Sequence, residues 1–254
     1  MSRAAVPGSS AKLADSGNAA AVSYLGRSTR PLTSLVFLLP FIILYELGTR
    51  LLLTDPVQGT HHIVAFTLLQ RFFALFGATG RHLPALAVVS ILLAWHFAKK
   101  DAWTVSLPTL LGMAAESVAL GLPLIVFGVC IARLFPAMSA PTAPGLPRTV
   151  ILSLGAGVYE ELVFRLILCT ALAMVLRNVL KIGPKLSMLL LVVLSASLFS
   201  AYHYLGHEPF HWRIFVFRIA AGVYFAAIFV FRGFGLTAGS HMAYDLMIAL
   251  LPLP

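Results

Sequence analysis

Between Thr149 and Leu176 the chain is apolar over a length sufficient to cross a bilayer, yet it carries Glu160, Glu161 and Arg165 there. A hydrocarbon layer about 30 Å thick needs roughly 20 residues of helix, with every backbone N–H and C=O bonded inside the segment. One charged side chain near the centre of such a helix costs about 2.5 to 3.5 kcal/mol on insertion scales. Three of them within six residues require internal partners or a function. At about 100° per residue, Glu161 and Arg165 share one face as an i, i+4 pair, while Glu160 points about a third of a turn away. An ion pair between Glu161 and Arg165 leaves Glu160 as the carboxylate available for chemistry.

The rest of the chain supports a membrane setting. Of 254 residues, 59% are hydrophobic and only 11% charged, which soluble domains do not match. The expected fold is an all-α, polytopic integral membrane protein. Crossings are expected at about 32–53, 83–98, 108–135, 149–176, 186–204, 212–231 and 234–251. The stretch 61–78, interrupted by Gln70 and Arg71, reads as interfacial or re-entrant, giving seven crossings, or eight if it spans. Residues 1–31 read as a disordered cytoplasmic tail, 32–148 as N-terminal transmembrane helices, 149–254 as the catalytic helices, and the Pro-rich Ser139–Pro147 as an outer loop. The net charge of +9 is spread as single or paired basic residues without interleaved aromatics, so it sets topology, with the N-terminus inside, and excludes nucleic acid as a partner. Cys130 and Cys169 fall inside spans without metal spacing and read as packing residues.

Two further spans hold ionisable residues one helical turn apart from a partner: Phe199 with His203, and His241 with Asp245. Ionisable groups in a membrane face the bundle interior or a wet cavity, so Glu160, His203, His241 and Asp245 are expected to converge there. A carboxylate and an imidazole sharing one water make it a nucleophile, and a second imidazole can stabilise the oxyanion that follows. No serine, threonine or cysteine stands against a base; Ser240 precedes His241, but helical neighbours do not face each other. An isolated membrane histidine ordinarily makes interhelical hydrogen bonds. The same buried groups would also serve a proton-coupled transporter or a non-catalytic membrane scaffold, which is the alternative reading. His207, Glu208 and His211 flank Pro209 and read as interfacial, and Glu46 and Glu116 stand alone in their spans.

Taken together, EExxxR at Glu160–Arg165, FxxxH at Phe199–His203 and HxxxD at His241–Asp245 resemble the CPBP family. That group contains the CAAX prenyl protease type II, Abi and lysostaphin-resistance-protein-like intramembrane proteases. The resemblance implies an intramembrane endopeptidase with a cavity in the bilayer. In it Glu160 and His203 activate water, His241 and Asp245 bind the oxyanion, and Glu161 and Arg165 hold the site in shape. Phe199, one turn from His203, reads as a packing wall for the imidazole. The prenyl-protease branch has Asn where this chain has Asp245, and an ionised Asp accepts hydrogen bonds but donates none. Glu160, His203 and His241 could also form a three-ligand zinc site. No HExxH is present, so a metal-free, cofactor-free reaction is favoured and zinc is the alternative. The expected partners are the lipid bilayer and a membrane-associated peptide or protein substrate, prenylated ones included. The expected location is a bacterial inner membrane.

Overall fold

The computed structural model describes residues 23–55, 59–134, 145–206 and 209–251. Residues 1–22 of the expected tail, 139–144 of the expected loop, His207 and Glu208 lie outside the described residues. The helices are α1 (Tyr24–Ser28), α2 (Pro31–Leu52), α3 (Val64–Leu75), α4 (Leu83–Lys99), α5 (Leu107–Leu134), α6 (Leu146–Val179), α7 (Pro184–Tyr202) and α8 (Trp212–Leu250). A two-residue antiparallel pair, Thr54–Asp55 with Gly59–Thr60, joins α2 to α3.

Proline marks where several of these helices begin. Pro31, Pro84, Pro147 and Pro184 stand in the first turns of α2, α4, α6 and α7, where a missing N–H costs nothing and the fixed φ already suits a helix. Helix α6 therefore begins at Leu146, three residues before the apolar run expected from Thr149. Helix α8 is two arms, 212–232 and 234–250, joined at Gly233, whose φ of 77° breaks the winding and favours glycine.

Helices α2, α5, α6, α7 with its following turn, and α8 are each long and apolar enough to cross a membrane. Helix α4, with 17 residues, reaches about 25 Å, and α3, with 12, only about 18 Å at about 1.5 Å per residue. The latter length suits an interfacial helix better than a crossing. Leu44, Leu47, Leu111, Leu122 and Val126 are exposed on α2 and α5, as side chains facing lipid tails are. Inside, α8 packs along α5 and α7, and α2 packs against α4 and α6.

The tail expected to be disordered to residue 31 is helical over Tyr24–Ser28 and docks on α5 and α8. Polar bonds explain this order. The Tyr24 hydroxyl donates to Glu116 at 2.6 Å, and Arg232 grips the same carboxylate through Nε and Nη2, each at 2.6 Å. Arg232 also donates to Ser28 Oγ at 3.1 Å. Burial, and then the Glu116 carboxylate, push the Tyr24 phenol up to about 12, which keeps it a donor. Glu116 is thus partnered by a residue beside the Gly233 break.

Candidate active site

Helix α6 does not keep α-helical winding through its charged segment. It widens to π-helical turns over Ala156–Glu160 and Leu162–Cys169, a distortion often found at functional sites. It also meets α8 closely. A Cβ on Gly157 would stand 2.8 Å from the Ala238 carbonyl oxygen and 2.9 Å from the Met242 nitrogen, so only glycine permits this approach. Glu160 and Glu161 both face His241, Glu161 within hydrogen-bond distance and Glu160 beyond it. His241 Nδ1 is 2.7 Å from Glu161 Oε1, and its Nε2 is 3.9 Å from Glu160 Oε2.

The expected pair exists as well. Arg165 Nε lies 3.1 Å from Glu161 Oε2, with both side chains fully buried. The guanidinium donates through Nη2 to the Gly222 carbonyl at 3.1 Å and lies 4.4 Å from the Phe199 ring centre and 5.6 Å from that of Phe225. Phe225 stacks on the His241 imidazole at 4.6 Å and 20°, and Phe199 meets the His203 ring edge-on at 5.1 Å. Arg165, the two rings and both imidazoles form one packed unit, in which the aromatic faces receive the cation.

Helix α7 runs to Tyr202 and continues in a tight turn over His203–Gly206, which carries His203 deep enough to face α6. Its Nδ1 bonds the Phe199 carbonyl at 2.8 Å. A carbonyl only accepts, so Nδ1 carries the proton and Nε2 faces the interior. That Nε2 is 3.9 Å from Glu160 Oε2. The other Glu160 oxygen, Oε1, accepts a short hydrogen bond from the Tyr202 hydroxyl. Asp245 Oδ2 lies 3.7 Å from His241 Nε2. Glu160, Phe199, His203, His241 and Asp245 line one cavity of about 340 Å³, with Arg218, Phe225 and Tyr244 among the other lining residues. Glu161 and Arg165 lie behind this wall.

Sequence reasoning missed four of these side chains. Arg218 carried a usable signal, being a charge inside the apolar 212–231 stretch, the same rule that singled out Glu160. Tyr202 stands three residues after Phe199, one turn along the same helix. Phe225 and Tyr244 had no signal, since aromatics are ordinary in such spans. His211, the residue before α8, is exposed and does not line the cavity. Glu46 bonds His82 at 2.6 Å and accepts from Tyr159 at 3.4 Å, away from the cavity. Cys169 is buried against Leu176 and Leu191, whereas Cys130 is exposed on α5. Among the described residues no three His, Cys, Asp or Glu side chains are grouped so as to hold a metal ion.

Residues 142–247 match a family described as Type II CAAX prenyl endopeptidase Rce1-like. The match covers α6, α7 and nearly all of α8, hence every residue named at the cavity. No curated protein and no solved structure matches the chain.

Proposed function

We propose that this chain, a member of the CAAX-protease-like CPBP family through residues 142–247, hydrolyses peptide bonds of membrane-associated substrates with a water activated by Glu160 and His203. One observation carries the reading. Glu160 Oε2 stands 3.9 Å from Nε2 of both His203 and His241. Such gaps are too long for direct hydrogen bonds, but a single water can reach Glu160 and His203 together at about 2.8 Å each.

Each oxygen of Glu160 has its own task. Oε1 is held by Tyr202, which leaves Oε2 to draw the proton from the water as that water attacks the substrate carbonyl carbon. His203 Nε2, its tautomer fixed by the Phe199 carbonyl, accepts the second hydrogen bond of the water and orients it. The tetrahedral oxyanion forms beside His241, whose Nε2–H meets it when both ring nitrogens carry protons and Nδ1–H is given to Glu161. The proton taken by Glu160 then passes to the leaving nitrogen, the C–N bond breaks, and a carboxylic acid and an amine remain. No metal enters this sequence. Prenylated C-terminal peptides, the substrates named in the family's description, are one group within the class.

The reading is tested by comparing new protein N-termini in membranes of cells expressing the wild type with those expressing Glu160→Gln at equal level. Termini present only with the wild type are expected. Coincident profiles, together with substrate-driven flux in vesicles, would instead favour a carrier built on the same groups.

A further inference from the structure

A second cavity, of about 570 Å³, shares Ala156, Tyr244 and Asp245 with the catalytic one. It is a slot between two helix faces. Thr149, Leu152, Ser153 and Ala156 of α6 recur at intervals of three and four residues and so form one stripe. Tyr244, Asp245 and Ile248 stand on one face of the last arm of α8 in the same way. Ile63, just before α3, is also part of its lining. Ala156, Tyr244 and Asp245 belong to both linings, so the slot adjoins the catalytic cavity there.

We propose that this slot is a substrate subsite, receiving an extended peptide segment whose residue next to the scissile bond has a Leu- or Phe-sized apolar side chain. The inference rests on the hydrolytic reading above and adds a specificity to it. Three observations argue for it. The slot adjoins the interior groups: Asp245, which is part of its lining, has Oδ2 3.7 Å from His241 Nε2, and that nitrogen is 3.9 Å from Glu160 Oε2. A peptide whose carbonyl sits at His241 therefore has the slot within reach. The volume lies within the range of about 300 to 1,000 Å³ typical of ligand pockets, and exceeds the 340 Å³ of the catalytic cavity. The lining is mixed in the manner a peptide needs. Ile63, Leu152 and Ile248 offer apolar contact, and Ser153 offers a hydroxyl to backbone groups that, inside a bilayer, cannot be left unpaired.

Leu152 sits mid-slot, two turns before the carboxylates, and is the residue to change. The full-length protein with Leu152→Trp, which fills the slot, and with Leu152→Ala, which enlarges it, is expressed beside the wild type and Glu160→Gln. The residues flanking every Glu160-dependent cut are then tabulated. With Leu152→Trp, cuts beside Leu, Ile, Met and Phe are expected to fall about 10-fold or more relative to cuts beside Ala and Gly, the discrimination a pocket gains from a bulk change. With Leu152→Ala the shift runs the other way, toward Phe and Trp. Leu86→Trp, in the separate apolar groove between α3, α4 and α6, is expected to leave the distribution unchanged. If Leu152→Trp does not accumulate, the Leu152→Ala distribution decides alone. Glu160-dependent cutting with an unchanged distribution overturns the subsite and leaves the hydrolytic reading intact. Absence of any Glu160-dependent cut overturns both.

Discussion

Glu161, the carboxylate that sequence spacing pairs with Arg165, also accepts from His241 Nδ1 at 2.7 Å across 80 residues of chain. One oxygen goes to each partner: Oε2 to Arg165 and Oε1 to His241. That division joins a structural ion pair to an imidazole facing the cavity. It also makes Glu161 responsible for the direction in which His241 Nε2 points, as an orienting carboxylate does for a functional histidine elsewhere.

Glu160→Gln and Glu161→Gln are therefore expected to differ. Glu161→Gln leaves Arg165 as a fully buried charge without its counter-ion, and breaking a buried pair costs roughly 3 to 5 kcal/mol. Thermal unfolding in detergent should drop clearly, and cleavage with it. Glu160→Gln keeps the Tyr202 contact and all packing, so its unfolding should match the wild type while cleavage is lost. Equal unfolding of the two variants would remove Glu161 from the ion pair that organises the site.

Tyr202→Phe deletes only the hydroxyl that holds Glu160 Oε1. The ring stays packed against Phe164 at 4.8 Å between centres, so folding should be preserved. A hydrogen bond to a charged group contributes about 1.5 to 3 kcal/mol, which corresponds to roughly 10- to 100-fold in turnover if it is used in the transition state. Turnover measured with a substrate recovered from the N-terminal profiles should fall by that amount, with KM little changed. Unaltered turnover would assign Tyr202 to packing alone.

Much of this was legible because a charge in an apolar run is costly and therefore conspicuous. Glu160, Glu161, Arg165, His203, His241 and Asp245 all stand out on that ground, and the one-turn spacings of Phe199 to His203 and His241 to Asp245 predict shared faces correctly. The widening of α6 was not legible. Periodicity assumes about 100° per residue and gives Glu161 one partner, Arg165; its second partner, His241, lies 80 residues along the chain and has no signal in that spacing. Helix α1 escaped for a different reason: five residues of modest propensity become helical only through Tyr24, Ser28 and their bonds to Glu116 and Arg232, distant in sequence.

Asp245 separates two roles by a single atom exchange. Its Oδ2 is 3.7 Å from His241 Nε2, beyond a hydrogen bond, so orienting that ring is left to Glu161. If Asp245 serves the oxyanion, Asp245→Asn supplies an N–H donor of the same shape and should retain or raise cleavage, while Asp245→Ala should lower it by roughly 100-fold, as loss of one oxyanion donor does. Matching losses in both variants would show that the negative charge itself is needed.

Gly157 on α6 and Gly145 just before it give opposite expectations. A methyl group on Gly145, the residue before Leu146, meets nothing within 4 Å among the described residues, whereas on Gly157 it meets backbone atoms of Ala238 and Met242 at 2.8 and 2.9 Å. Backbone cannot rotate away, so α6 and α8 must separate by some tenths of an ångström, at a cost of about 1 to 3 kcal/mol for such overpacking. The separation falls between the carboxylates on α6 and His241 on α8. Displacements of about 1 Å in a catalytic geometry can cost roughly 100-fold, so Gly157→Ala should lose far more cleavage than its drop in unfolding temperature accounts for. Gly145→Ala should change neither. If Gly157→Ala cleaves like the wild type, the site tolerates relative movement of the two helices, and the 3.9 Å spacings around Glu160 are not what holds the water.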